Sequence, residues 1–492
     1  MKIIILGAGR IGESVAGTLV SERNDITVID TDAVRLRELE ERFELRGVVG
    51  SGIEPDVLAE AGARDADMLI ACAAKDETNL VCCKIAHQVF GIPTRIARVR
   101  SDAYKDDSPL LGKEGFAVDR VICPEESLTR YIGKLVEYPE ALQVREFAGG
   151  LACLVSVRAV AGAPLVRHSI AELRECVPDC DMRIVAIYRR LEDRPDRFIV
   201  CEGQTLIEPG DEVFVLSARE HLQSVLSALH RYDKTGHREV ERIMIAGGGR
   251  VGLRLAKQLI ETGRKYQIKL LERDHARCVL LASELPESVL VLHGDGTDEE
   301  LLEDEGIENI DLFLSLTSDD EDNIMASLLA KRLGATRVLA LINRRSYADL
   351  MHGTQIDIAL SPAQTMLGEL LAYVRQGDVQ AVHSLRRGVA EALEIVARGD
   401  RKTSRVVGRK ISDIQLPKGA QFGLIMRGLP ELGVGAVVSD EKLQTPAPIP
   451  AKVIIARGDT VIESNDHVVI FVPRKRQLAD VEKLFRVSAT FF

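Results

Sequence analysis

The chain has 492 residues, 46% hydrophobic and 28% charged, with a formal net charge of −11 at neutral pH. At roughly 100–200 residues per domain this length implies several folded units, with apolar material for a core in each. The acidic balance excludes broad binding of nucleic acid, which needs a clustered excess of Lys and Arg.

From the N-terminus, "KIIILG" reads as a buried strand and is followed by the turn Gly7-x-Gly9-x-x-Gly12. "RIGESVAGTLV" has apolar residues at helical spacing, and "DITVID" reads as a second strand closed by Asp30. "ELRGVVG", "ADMLIAC", "TRIARV" and "VDRVICP" continue the alternation of short apolar runs with helical stretches. Strands alternating with helices predict βαβ crossovers and a parallel sheet, a Rossmann-type layout. The following segment is turn-rich and strand-dominated ("FIVCEGQTLIEPGDEVFVLS"), which predicts a small α+β domain. The polar stretch "HRYDKTGHRE" then reads as a linker.

After the linker the pattern repeats. Gly247, Gly249 and Gly252 lie 240 positions beyond Gly7, Gly9 and Gly12, and Glu272 closes the second strand where the first copy has Asp30. "KDETN" (Lys75–Asn79) returns as "DDEDN" (Asp319–Asn323), and "EPGDEVFVL" returns as "ESNDHVVIFV". The expected architecture is α/β: two Rossmann-type parallel-sheet lobes, each followed by a small α+β C-lobe. The boundaries are placed at 1–140, 141–236, 237–380 and 381–492.

Each glycine turn follows a strand and opens a helix. The first glycine permits the tight turn, the second lets backbone approach a pyrophosphate, and the third lets helix pack on strand. The helix N-terminus, at Arg10-Ile11 and Arg250-Val251, would present N–H groups to the anion. Asp30 and Glu272 stand where a carboxylate bonds a ribose 2′-OH, which favours NAD(H) or an adenosine nucleotide over NADP. The alternative is a pair of degenerate lobes that keep glycines for packing alone. Glu13 occupies the position of a P-loop lysine, so no Walker-type ATPase is implied. Asp76, Asn79, Arg98 and Arg100, after the fourth and fifth strands, face the crevice where ligands bind such sheets, or else form a solvated loop. His87 and His293 have no counterparts in the other copy, and neither has the partners of an acid–base group. The nine cysteines fit reduced thiols, and "CVPDC" (Cys176, Cys180) has the wrong spacing for a thioredoxin-type motif and lacks a second Cys/His pair for zinc. No metal site is expected. No run of about 18 apolar residues occurs, and "MKIIILGAG" is too short for a signal segment, so a cytosolic protein is expected.

"MKIIILGAGRIGESVAGTLVSERNDITVID", "AAKDETNLVCCKIAHQVFG" with "ARVR", and the late "EPGDEVFVL" resemble the tandem RCK family, whose units pair a TrkA-N with a TrkA-C lobe. The resemblance covers nearly the whole chain and includes the duplication. It implies a non-enzymatic regulatory subunit, cytoplasmic and peripheral on the inner face of the plasma membrane. Such a subunit binds NAD(H), with ATP or ADP at one of the paired sites, and gates an integral-membrane potassium-translocating subunit of the TrkH/TrkG type. It also implies a homo-oligomeric ring, dimer or tetramer, and no nucleic-acid partner. Carried onto this chain, the first site comprises Gly7, Gly9, Arg10, Ile11, Gly12, Asp30, Asp76, Asn79, Arg98 and Arg100. The second comprises Gly247, Gly249, Arg250, Val251, Gly252 and Glu272, with Asp295 where family members often have Gly-Asp-Ala/Thr. "LINRRSY" (Arg344, Arg345) replaces "RVRSDAY", so the two sites need not bind the same nucleotide. The rival reading is an NAD-dependent oxidoreductase with tandem Rossmann domains; against it stands the missing acid–base constellation. A redox-sensing transcription regulator is disfavoured by the negative charge and the absence of a DNA-binding motif.

Overall fold

The structure, a computed structural model, describes the chain apart from residues 23, 102–103, 105–107, 179, 192–193, 231–238, 345–346, 348–350, 352–355, 376–377, 386–388, 430–450 and 488–492. The linker "HRYDKTGHRE" therefore falls almost wholly outside the described residues, as does Arg345.

The first lobe alternates β1 (Lys2–Leu6), α1 (Arg10–Val20), β2 (Asp25–Asp30), α2 (Ala33–Arg42), β3 (Arg46–Val49), α3 (Pro55–Glu60), β4 (Met68–Ala71), α4 (Asp76–Gln88), β5 (Thr94–Arg98), β6 (Arg120–Ile122) and α5 (Pro124–Glu137). Its six strands form one parallel sheet in the order β3-β2-β1-β4-β5-β6. Ile3, Ile4, Ile5 and Leu6 are buried, as a strand covered on both faces requires. Asp32 caps α2 by accepting from the N–H of Val34 at 3.0 Å and of Arg35 at 3.3 Å.

Next come β7 (Ala141–Phe147), β8 (Ala152–Arg158), α6 (Leu173–Cys176), β9 (Met182–Leu191), β10 (Arg194–Val200), β11 (Glu212–Ala218) and α7 (Leu222–Leu229). The strands form an antiparallel sheet, β10-β9-β11-β8-β7. The second lobe runs β12 (Arg242–Ala246), α8 (Arg250–Glu261), β13 (Gln267–Glu272), α9 (His275–Glu284), β14 (Val289–His293), α10 (Glu299–Asp304), β15 (Leu312–Ser315), α11 (Asp320–Arg332), β16 (Arg337–Leu341) and β17 (Ile358–Leu360), then a helix at Pro362–Val374. Its sheet order, β14-β13-β12-β15-β16-β17, reproduces that of the first lobe. Even the cap recurs, with Asp274 accepting from Ala276 and Arg277 N–H. β18 (Val379–Leu385), β19 (Ala390–Val396), β20 (Gln421–Arg427), β21 (Lys452–Ile455), β22 (His467–Val472) and a helix at Leu478–Phe485 complete the chain, with sheet order β18-β19-β22-β20-β21. The expected α/β architecture is thus present, and each C-lobe is an antiparallel sheet with a closing helix.

Like lobes associate with like. Met1–Arg130 and Arg242–Leu367 form one compact unit, and Tyr131–Glu241 and Gly368–Phe492 form another. In the second unit a single core joins both antiparallel sheets, with Phe147, Leu154, Phe214 and Leu216 packed among Leu385, Leu424, Val469 and Phe471. Polar contacts fix this seam: His383 Nε2 donates to the Glu146 carbonyl at 2.8 Å, and Glu394 Oε2 accepts the Ala148 N–H at 3.1 Å.

Candidate functional site

The two glycine turns have the same build. Gly7 and Gly247 lie at φ +104° and +112°, in the left-handed region that favours glycine. A Cβ on Gly12 would stand 1.8 Å from the Gly7 carbonyl oxygen, and one on Gly252 2.0 Å from that of Gly247, so helix and strand can close only on glycine. Gly9 and Gly249, by contrast, face open space, since a Cβ at either would meet nothing within 4 Å. They precede α1 and α8, whose hydrogen bonding begins with Glu13 N–H to Gly9 O and Leu253 N–H to Gly249 O. The N–H groups at Arg10-Ile11-Gly12 and Arg250-Val251-Gly252 therefore have no intrahelical acceptor. Arg10 and Arg250 are exposed, and Ile11 and Val251 half-buried.

The acid closing the second strand braces each turn. Asp30 accepts the N–H of Ala8 at 2.6 Å on one oxygen and of Asp32 at 2.9 Å on the other. Glu272 accepts those of Gly248 and Asp274, both at 2.9 Å. An ionised carboxylate has about four acceptor positions, so two remain on each for ribose hydroxyls.

The polar residues after the fourth strand act on the backbone. Asn79 is fully buried; its Oδ1 accepts the Ala73 N–H at 2.8 Å and its Nδ2 donates to the carbonyls of Ala73 at 3.0 Å and Arg98 at 2.8 Å. Asn323 makes the same bonds to Thr317 and Leu341. Asp76 accepts the N–H of Arg100 and Ser101, as Asp320 does those of Asn343 and Arg344. These residues hold the ends of β4 and β5, and of β15 and β16, beside the glycine turns. Asp295 is exposed and accepts the N–H and hydroxyl of Thr297, closing a local turn. His293 faces the Arg273 carbonyl and His275, and His87 lies half-buried on α4.

The hydrogen-bond register shows where the copies diverge. Arg98 and Arg100 correspond to Leu341 and Asn343, while Arg344 takes the place of Ser101 and pairs with Glu321 at 2.6 Å. Only the first lobe therefore has guanidinium groups at these two positions. Its arginines meet Glu125, in the first turn of α5. Arg98 Nη2 lies 3.5 Å and Arg100 Nε 3.3 Å from Glu125 Oε1. The Nε–H groups of both arginines are buried without a hydrogen-bond acceptor. Burial pulls the Arg98 guanidinium below its ordinary pKa, and Glu125 opposes that shift. Burial also pushes the neighbouring Cys72 thiol up to about 12, so it stays protonated. Glu125 was not singled out from sequence, because an acid in a helix's first turn is ordinary there.

Two open glycine cradles, each braced by an acid and set on a parallel sheet, define a tandem Rossmann-type protein. The TrkA-N domain model matches residues 3–124 and 243–362, and the TrkA-C domain model matches 154–230. Over the full length of both chains, the sequence is 48% identical to the Trk system potassium uptake protein TrkA of Halomonas elongata, 46% to that of Vibrio alginolyticus and 43% to that of Haemophilus influenzae. The chain belongs to the TrkA family. Among solved structures it resembles the GsuK channel, with a TM-score of 0.58 at 18% identity over 99% of this chain and 79% of that one. The GsuK RCK domain aligns with a TM-score of 0.56 at 17% identity over 98% and 94%, so the fold is shared. The family's proteins are named for potassium uptake, and this chain is not an enzyme.

Proposed function

We propose that this chain is a cytoplasmic nucleotide-binding subunit that gates an integral-membrane potassium-translocating partner of the TrkH/TrkG type, as a dimeric or tetrameric ring of RCK units. Its four lobes divide near residues 140, 236 and 380. The family's name supports the potassium role. Among the described residues no helix is long and apolar enough to cross a membrane, so ion translocation is assigned to the partner.

The observation that carries the reading is the asymmetry of the cradles. Both have an open glycine, free helix N–H groups and a bracing acid with acceptor positions to spare, which suits a nucleotide. The first alone adds Arg98 and Arg100, whose buried Nε–H groups lack acceptors and would be satisfied by phosphate oxygens. We therefore assign ATP or ADP to the first cradle and NAD(H) to the second. The GsuK channel, which shares this fold, has been solved bound to NAD, which fits a nucleotide-binding role here. A ligand shifts a conformational equilibrium only by its differential affinity for the two states. ATP and ADP differ by one phosphate, so arginines that reach that phosphate in one state alone would supply the difference.

Calorimetric titration of ATP, ADP, NADH and NAD into wild type, Gly9→Asp and Gly249→Asp tests the assignment. Both positions have room for a side chain and lie at φ −71° and −64°, so both variants are expected to fold. Gly9→Asp should lose ATP at least about tenfold and keep NADH, and Gly249→Asp the reverse. Nucleotide affinity indifferent to both substitutions refutes the cradles as the sites.

A further inference from the structure

A line of contacts leaves the first cradle and ends on the helix of the second. Glu125 Oε1 faces Arg98 and Arg100, and its Oε2 lies 3.8 Å from the Sγ of Cys123, which precedes α5. That sulfur accepts a hydrogen bond at 3.2 Å from Nη1 of Arg254 in the second lobe. Arg254 lies on α8, one turn after Arg250, so it shares a helix with the N–H groups of the second cradle. Burial, reinforced by the Glu125 carboxylate and opposed by the Glu126 N–H, pushes the Cys123 thiol up to about 11. It is a neutral bridge, donating toward Glu125 and accepting from Arg254. The duplication does not repeat the arrangement: Ser14, Ser361 and Ala363 stand at the positions of Arg254, Cys123 and Glu125.

Resting on the reading that both cradles bind nucleotide, we propose that Arg254 couples them, as a positioning residue that answers to the charge state around Glu125. One carboxylate serves two guanidinium groups at long range, and its side chain is only 20% exposed. When Arg98 and Arg100 turn to a phosphate, Glu125 is left with little water and without its cations, a costly state for a buried charge. Arg254 is the guanidinium one thiol away. Its movement onto Glu125 draws on α8, and so on the N–H groups of the second cradle. Occupancy of one cradle then alters affinity at the other, reciprocally.

The test is NADH affinity of the full chain, by calorimetry, with ATP absent and saturating. In wild type the two affinities should differ by at least about fivefold. In Arg254→Met, which keeps the length and removes the charge, they should agree within about twofold. The affinity for each nucleotide alone should stay at its wild-type value in that variant. A wild-type ratio of one, an unchanged ratio in Arg254→Met, or loss of intrinsic affinity at either cradle in that variant overturns the proposal. An ATP effect that persists in Gly9→Asp is competition for one cradle; it defeats the ligand assignment and the coupling with it. Absence of any nucleotide binding in wild type defeats the function proposed above, and the coupling falls with it.

Discussion

Gly12 and Gly9 sit three positions apart in one turn and do different work. A methyl group on Gly12 would press into the Gly7 carbonyl, whereas one on Gly9 would meet only the open crevice. Gly12→Ala should therefore destabilise the chain by about 3 kcal/mol, the upper range for overpacking. Gly9→Ala should stay within about 0.5 kcal/mol of wild type while weakening nucleotide binding. Chemical denaturation beside calorimetry separates the two; equal stability losses would contradict the division of roles. Asn79 is a further case. Its three backbone bonds tie Ala73 to the end of β5, so Asn79→Ala should cost about 2–3 kcal/mol by leaving buried backbone groups unpaired. The motif and its spacing were legible in the sequence. The work of Asn79 was not, because an amide after a strand reads the same whether it faces ligand or backbone.

At the scale of elements, the sequence showed the strand–turn–helix order and its repetition, since both rest on local periodicity. Setting "RVRSDAY" against "LINRRSY" also placed Arg100 opposite Asn343, the register that the Asp76 and Asp320 bonds keep. Contact between sheets is not local, and the C-lobes show that limit. Strand content was legible in them, but the contact between β7 and β18 across the seam was not, and there His383 packs edge-on against Phe147 at 4.9 Å. Burial, aided by the nearby Arg145, lowers the His383 pKa from 6.5 to about 4. Below pH 6.5 the unfolded state takes up a proton that the folded state refuses, so stability is present above that pH. It is lost progressively as pH falls toward 4, by about 3 kcal/mol at most. Denaturation midpoints of wild type should fall over this window, and His383→Gln should flatten the slope. An identical pH profile in the variant would remove His383 from the account.

In the whole molecule, the order of lobes along the chain is not their order in space. The chain alternates Rossmann and antiparallel lobes, yet the two Rossmann lobes share one compact unit and the two antiparallel lobes the other. Hydrophobic pattern determines which face of an element is buried; it does not determine which copy covers that face. The cross-lobe contact from Arg254 to Cys123 was invisible for this reason, although both residues stand in plain segments of the sequence. The shared unit places two cradles of different charge in one body, which suits a sensor comparing nucleotides better than a catalyst. Potassium flux through proteoliposomes holding a TrkH/TrkG-type subunit and this chain, with ATP against ADP, tests that claim most directly. Wild type should give different fluxes with the two nucleotides, and Arg98→Ala and Arg100→Ala should erase the difference. Equal fluxes with wild type, or a difference that survives both substitutions, would contradict the account.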